Sequence, residues 1–306
     1  MEGGSVVEFV LIILPVFLIM GAGFLGQKLL KLEIRSISTM ALYLMMPFLT
    51  FNTFYTNEIN IDYAYMFLFN ILLILVLVIV TVVVGKAIKA DKSSMSAMLL
   101  GTAFPNMGNY GAPVILFAFG ATAFNYAVIT MVIQTLLINT IGIFIAAYGS
   151  EQPTSVKQAL LSVVKMPVLY GVLLGVVFQV MPITLPGAIM DGIELIGSAS
   201  IPTITLLLGM QLAQMKAQQF EFKYVSSITL IRMVVSPLVM AVLVSLMPVS
   251  PMIRNVFILL AAMPIAANTT LLALQFNTRP NLVSYITLVT TLVSLLTVPI
   301  TLYLLG

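Results

Sequence analysis

The chain has 306 residues; 61% are apolar and 8% charged, and 13 Lys and Arg stand against 10 Asp and Glu for a net charge of +3. An ordinary soluble domain is about 25% charged, so this composition, with a mean hydropathy of +1.15, leaves too little polar surface for a water-soluble body and specifies an integral membrane protein. The absence of Cys and His excludes disulfides, thiolate or imidazole metal sites, haem ligation by His and Ser–His–Asp catalysis.

Met1-Glu2-Gly3-Gly4 lacks the basic residues of a secretory leader, and the apolar run after it is too long for a leader core. A retained first helix is therefore expected near 6–27. A span needs about 20 apolar residues whose backbone groups pair internally. Runs such as Ile71 to Val84 are apolar on every face, where a barrel strand would alternate, so the spans are helices. Nine more are expected near 36–55, 62–85, 94–118, 122–148, 159–181, 187–213, 224–247, 253–276 and 281–304. Gly and Pro punctuate the short connections, as at Met181-Pro182 and Leu185-Pro186-Gly187. The longest polar stretch, Gly149 to Gln158, falls near the midpoint and divides the chain into five helices over 1–150 and five over 151–306.

Basic residues orient the helices. Lys28, Lys31 and Arg35 flank the first loop; Lys86, Lys89 and Lys92 the third; Lys157 and Lys165 the fifth; Lys216 and Lys223 the seventh; Arg279 the ninth. The second loop carries Glu58 and Asp62, and the eighth only Arg254. Odd loops are thus expected in the cytoplasm and both termini outside. These scattered charges form no nucleic-acid footprint.

The two halves share a pattern. Gly101-Thr102-Ala103-Phe104-Pro105-Asn106-Met107-Gly108-Asn109 aligns with Leu260-Ala261-Ala262-Met263-Pro264-Ile265-Ala266-Ala267-Asn268, in the fourth helix of each half. Met46-Pro47-Phe48-Leu49 aligns with Ile201-Pro202-Thr203-Ile204, in the second. Five is odd, so the second half enters the membrane from the opposite side. The expected fold is an all-α polytopic membrane protein: ten transmembrane helices as an inverted five-plus-five repeat, a plan shared by many secondary transporters. Pro105, Gly108, Gly111 and Pro113 break the fourth helix, and Pro264 with Asn268-Thr269-Thr270 breaks the ninth. Unwound backbone at membrane depth survives only inside protein or beside water, where its amides and carbonyls become ligand groups. A matched pair of broken helices points to a transport site.

Asn106-Met107-Gly108-Asn109-Tyr110-Gly111-Ala112-Pro113, the five-plus-five plan and the matching Pro264/Asn268 segment resemble the auxin efflux carrier family, which includes bacterial malate and malonate permeases and plant auxin carriers. The resemblance covers nearly the whole chain, without the long central loop of many plant members. It implies that the fourth and ninth helices cross at the substrate site. It also implies a scaffold of helices one, two, six and seven, paired in a homodimer, against which the other six helices move as an elevator.

Asn109 and Asn268 are the first candidates for substrate contact, since an amide meets a carboxylate directly; alternatively they cap the broken helix ends. Asn106 and Thr269 follow, with Pro105, Pro264, Gly108 and Gly111 shaping the backbone around them. Arg232, two turns into the eighth helix, either pairs with a substrate carboxylate or snorkels to the interface. Asp191 and Glu194 share a face of the seventh helix. They carry a proton or flank a cation path, or else are simply solvated at the outer mouth beside a helix N-terminus. Glu8 is interfacial. Gly21-Ala22-Gly23-Phe24-Leu25-Gly26 spells a dinucleotide fingerprint but sits inside a membrane helix, where close packing is its use, as for Gly171 and Gly175. Asn268-Thr269-Thr270 spells a glycosylation site at a depth where glycosylation does not occur.

The expected function is a secondary transporter of a small organic anion in the cytoplasmic membrane, with no cofactor and no metal. The transport class comes from the residues; the anion, a mono- or dicarboxylate such as malate or malonate, comes from the resemblance. An aromatic carboxylate carrier, a channel and a ligand sensor are the alternatives. An intramembrane enzyme is not expected, because there is no Gly-x-Gly-Asp segment and the lysines sit at helix ends. The broken segments hold no charged residue, which fits a uniporter or sodium held by carbonyls, and proton coupling would fall to Glu194 or Asp191.

Overall fold

The structure, a computed structural model, describes residues 6–150, 155–215 and 221–306. The first residues (Met1 to Gly4), 151–154 of the midpoint stretch and Lys216 of the seventh loop lie outside the described residues.

Every regular element among the described residues is a helix. In chain order they are α1 (Val6–Leu30), α2 (Ile34–Thr56), α3 (Ile61–Ala87), α4 (Lys92–Ala103), α5 (107–119), α6 (121–148), α7 (Val156–Val164), α8 (Pro167–Val180), α9 (Gly187–Gln214), α10 (Phe222–Ser245), α11 (Pro251–Ala261), α12 (Asn268–Gln275) and α13 (Pro280–Leu305). Short polar residues start several of them. Asn60 accepts from the Asp62 amide at 2.9 Å, Asp91 from Ser94 at 3.2 Å and Ser250 from Ile253 at 3.3 Å, each taking up an amide that the first helical turn leaves unpaired. Ser155 and Gln158 close a reciprocal capping box on α7. Pro167, Pro251 and Pro280 stand in the first turns of α8, α11 and α13, where the missing N–H costs nothing.

Among the described residues, seven helices are long and apolar enough to cross a bilayer, or eight if the pair α7–α8, bent by 65°, is one span. The shortfall from the ten expected runs has a geometric reason. At 1.5 Å per residue, the 12 residues of α4 or the 11 of α11 reach only about halfway through a hydrocarbon core of about 30 Å. The expected runs 94–118 and 253–276 are each cut in two. Conversely, helical hydrogen bonding runs through Met107–Tyr148, 42 residues, about twice a span. Gly120 divides it, at φ +80° and ψ −172°, a conformation open to glycine alone, so the chain turns between α5 and α6.

Helices α1, α2, α8 and α9 pack backbone to backbone. A side chain at Gly23 would collide with the Leu206 carbonyl, and one at Gly209 with the Met20 carbonyl, which locks α1 onto α9. Gly171 and Gly175 lie against the Pro47 and Phe51 carbonyls in the same way and bring α8 onto α2, the use expected of their GxxxG spacing. Of the fingerprint-like glycines only Gly23 is a packing site, since Gly21 and Gly26 face open space.

A polar clasp joins the starts of three other helices. Arg279 pairs with Glu221 and donates to Ser94 Oγ at 2.7 Å, with the Tyr224 ring centred 5.2 Å from its guanidinium. It therefore ties the N-terminal ends of α4, α10 and α13 together. Burial alone would lower the Arg279 pKa, but the hydrogen bond and charge of Glu221 outweigh it and raise it. Asp91, held by Ser94 and close to Arg279, is shifted below the usual carboxylate value of 3.8.

Candidate binding site at two interrupted helices

Pro105 and Pro264 cannot donate to a helix, and each chain leaves its helix just before them. The released backbone groups find one another. The Asn106 amide donates to the Pro264 carbonyl at 2.7 Å and the Ala266 amide to the Phe104 carbonyl at 3.0 Å, so Pro105 and Ile265 face each other across an antiparallel bridge. Two extended segments thus cross in the middle of the protein with their polar groups paired, as burial in an apolar environment demands. Behind them, Thr290 of α13 accepts from the Ile265 amide at 3.3 Å, and Ser294 donates to the Tyr110 hydroxyl at 3.0 Å.

Beside the crossing lies a cavity of about 80 Å³. It brings together Pro105, Asn106, Gly108, Asn109 and Asn268 among the residues singled out in the sequence. Neither Asn109 nor Asn268 has a side-chain partner among the described residues, and no side chain caps α5 or α12, so neither Asn spends its amide on a helix end. Both stand in the first turn of a half-helix whose N-terminus carries a partial positive charge.

The other candidates lie elsewhere. Pro264 is buried behind the cavity as the acceptor of Asn106. Thr269 is wholly buried and donates to the Ala266 carbonyl at 2.8 Å, while its neighbour Thr270 turns to another cavity. Gly111 is a packing position, where a side chain would meet Leu260 Cδ2 at 2.7 Å. Asp191 and Glu194 are exposed near the start of α9 and line none of these cavities. Arg232 is fully buried and bonded to backbone, away from both the cavity lining and the surface.

Several lining residues were not singled out in the sequence. Met131, Gln134, Thr135 and Ile138 come from α6, Leu42 and Met46 from α2, and Val168 from α8. Gln134 donates to the Pro105 carbonyl, which braces the break. Its Oε1 has no partner, and neither does Asn106 Nδ2, although the two residues are only 6% and 4% exposed. A buried polar atom without a partner is costly, which sets this donor and this acceptor apart in the cavity wall. Gln134, Thr135 and Asn139 share one face of α6, and that polar stripe in an apolar helix was the available signal. Three π-helical turns, Met40–Met45, Met107–Gly111 and Ile138–Gly142, supply the lining residues Leu42, Asn109 and Ile138, and a further one, Ile231–Val235, carries Arg232. Such turns are common at functional sites.

The cavity shares Leu42, Thr135, Ile138, Val168 and Asn268 with a larger one of about 330 Å³ that reaches Ser162 and Lys165. On the opposite face of α12, another of about 380 Å³ is lined by Gln211, Gln214, Thr270, Asn281 and Ser284.

A family profile described as "Membrane transport protein" matches residues 9–302. A protein of Methanothermobacter thermautotrophicus described as "Uncharacterized transporter" is 27% identical over 218 residues, covering 69% of this chain and 68% of its own length. Both matches agree with the resemblance drawn from Asn106 to Pro113.

Proposed function

Because the chain belongs to the membrane transport protein family, we propose that it is a secondary transporter of a small organic anion, with mono- and dicarboxylates such as malate and malonate as the substrate class, and that the anion binds where the two interrupted helices cross. The observation that carries this reading is the pairing of Asn109 and Asn268. Their amides stand unbonded at the N-terminal ends of two half-helices, in one cavity. Amide donors and helix N-termini favour an anion without placing a fixed charge in the site. A space of about 80 Å³ has room for several waters, and so for an acid of a few carbons.

In this reading α4–α5 and α11–α12 are the broken fourth and ninth spans of an inverted repeat, 1–150 against 151–306. Helices α1, α2, α7–α8 and α9 form the scaffold, which pairs with a second copy in the cytoplasmic membrane. Its close glycine contacts suit a rigid unit. The remaining helices, held by the Arg279 clasp, move against it. The cavity lies on the seam between the two groups, since Leu42, Met46 and Val168 come from the scaffold and the rest from the moving unit. The wider cavity reaches Lys165, on the side that the distribution of basic residues makes cytoplasmic, which supports reading this as an inward-open state of an elevator. No titratable side chain lines the 80 Å³ cavity, which favours uniport driven by membrane potential.

The test is charge translocation by purified protein in liposomes on a solid-supported membrane, with jumps of malonate, malate, lactate and indole acetate, with and without sodium. A saturable current for a small acid that disappears in an Asn109→Ala/Asn268→Ala protein is expected. Folded protein that gives no current with any of them would contradict electrogenic anion transport, and a conductance too large for a carrier cycle would make the protein a channel.

A further inference from the structure

Arg232 is the largest wholly buried side chain, and no carboxylate among the described residues pairs with it. Its Nη1 donates to the Thr102 carbonyl at 2.7 Å and its Nη2 to the Ala261 carbonyl at 2.6 Å. Ser236, one turn further along α10, also donates to the Ala261 carbonyl, at 2.8 Å, and accepts from Arg232. These two carbonyls are a matched pair. Thr102 and Ala261 occupy the same place in the aligned segments of the two halves, at the ends of α4 and α11. In an unbroken helix each would accept from the amide four residues on. Those amides are engaged elsewhere, Asn106 with Pro264 and Ile265 with Thr290. Arg232 therefore takes up one of the orphaned carbonyls of each broken helix.

The charges match as well. A helix C-terminus carries roughly half a negative charge, so two of them offset about one guanidinium, which stays protonated at neutral pH. The breaks put four half-helix ends at one place. Arg232 holds the two negative ends, and the two positive ends, at α5 and α12, begin at the cavity. Thr102 is three residues from Pro105 in the cavity wall, at most about 10 Å of chain. Uncovered C-termini at that distance, in an interior that salt does not screen, would repel an anion.

We propose that Arg232 is the positioning residue that makes this site prefer anions: it never touches substrate, but it neutralises and pins both half-helix C-termini so that only the N-terminal ends act on the cavity. The substrate half of this statement rests on the proposed function; the clamp itself does not.

The test compares malonate with the neutral isostere malonamide, binding of each being measured on protein in nanodiscs. Arg232→Gln is expected to lower the malonate-to-malonamide affinity ratio at least tenfold. Arg232→Lys, whose ammonium cannot span two carbonyls as a guanidinium does and loses its charge readily when buried, is expected to lower the ratio as well, by less than Arg232→Gln. Equal loss of both ligands in Arg232→Gln would reduce the residue to a structural part and overturn the assignment, as would an unchanged ratio. If Arg232→Gln does not fold, an Arg232→Lys protein whose ratio is unchanged overturns it equally. Wild-type protein that does not bind malonate would overturn the substrate class instead, and the clamp is then decided by hydrogen exchange. Faster exchange across 104–106 and 262–266 in Arg232→Gln supports it, and unchanged exchange overturns it.

Discussion

Asn109 and Asn268 have no side-chain bonds to lose, so removing either amide should leave stability alone and affect only the ligand. A hydrogen bond to a charged group contributes about 1.5–3 kcal/mol, so Asn109→Ala or Asn268→Ala should each weaken apparent affinity by roughly 10- to 100-fold, with thermal unfolding in detergent unchanged. A large fall in unfolding temperature would instead make these residues structural. Gln134 differs because it also supports the backbone through the Pro105 carbonyl. Gln134→Ala should cost both affinity and stability, the latter by about 1–3 kcal/mol for the acceptor left unpaired. The two asparagines were legible in the sequence because each follows a helix-breaking Pro by four residues at matched positions. Gln134 was not, because nothing in its own helix marks it except polar neighbours whose significance depends on what α6 packs against.

At the scale of elements, the breaks and their bridging show how one substitution propagates. Gly120 has space for a methyl group, yet its backbone conformation excludes any other residue without strain. Gly120→Ala should therefore destabilise the protein by about 1–3 kcal/mol, read as a lower unfolding temperature in detergent, with no clash to relieve. Unchanged stability would mean that the turn between α5 and α6 is not fixed as described. Long apolar helices such as α1, α3, α9 and α13 were legible to within a few residues, because lipid-length apolar runs have one physical solution. The π-helical turns were not, since no local residue pattern marks them, whereas the 65° bend between α7 and α8 falls at Met166-Pro167, a helix stop inside the expected run 159–181. The Pro105 and Pro264 breaks were visible, but their mutual bridge was not, because Asn106 and Pro264 meet only when the two halves of the chain are folded together.

For the whole molecule, the site is a seam between a closely packed group of four helices and the rest, with its wall free of titratable groups. Transport of an acid that is fully ionised across the range should accordingly be flat between about pH 6 and pH 8 in flux assays, and a steep change there would implicate a protein group such as Glu194 or Asp191. The Asp91 cap does not alter this. A carboxyl held below its free value of 3.8 adds stability that is complete above that pH and fades only as the pH falls through its lowered value. Because the chain has no Cys, a single introduced thiol reports accessibility without background. Thr135 lines both the 80 Å³ cavity and the wider one leading to Lys165. The most direct measurement is the rate at which a membrane-impermeant maleimide modifies Thr135→Cys from each side of the membrane, with and without malonate. The expected result is labelling from the side of Lys165, slowed by malonate in a saturable way. Labelling from that side at a rate no carboxylate changes would contradict an anion site at the crossing.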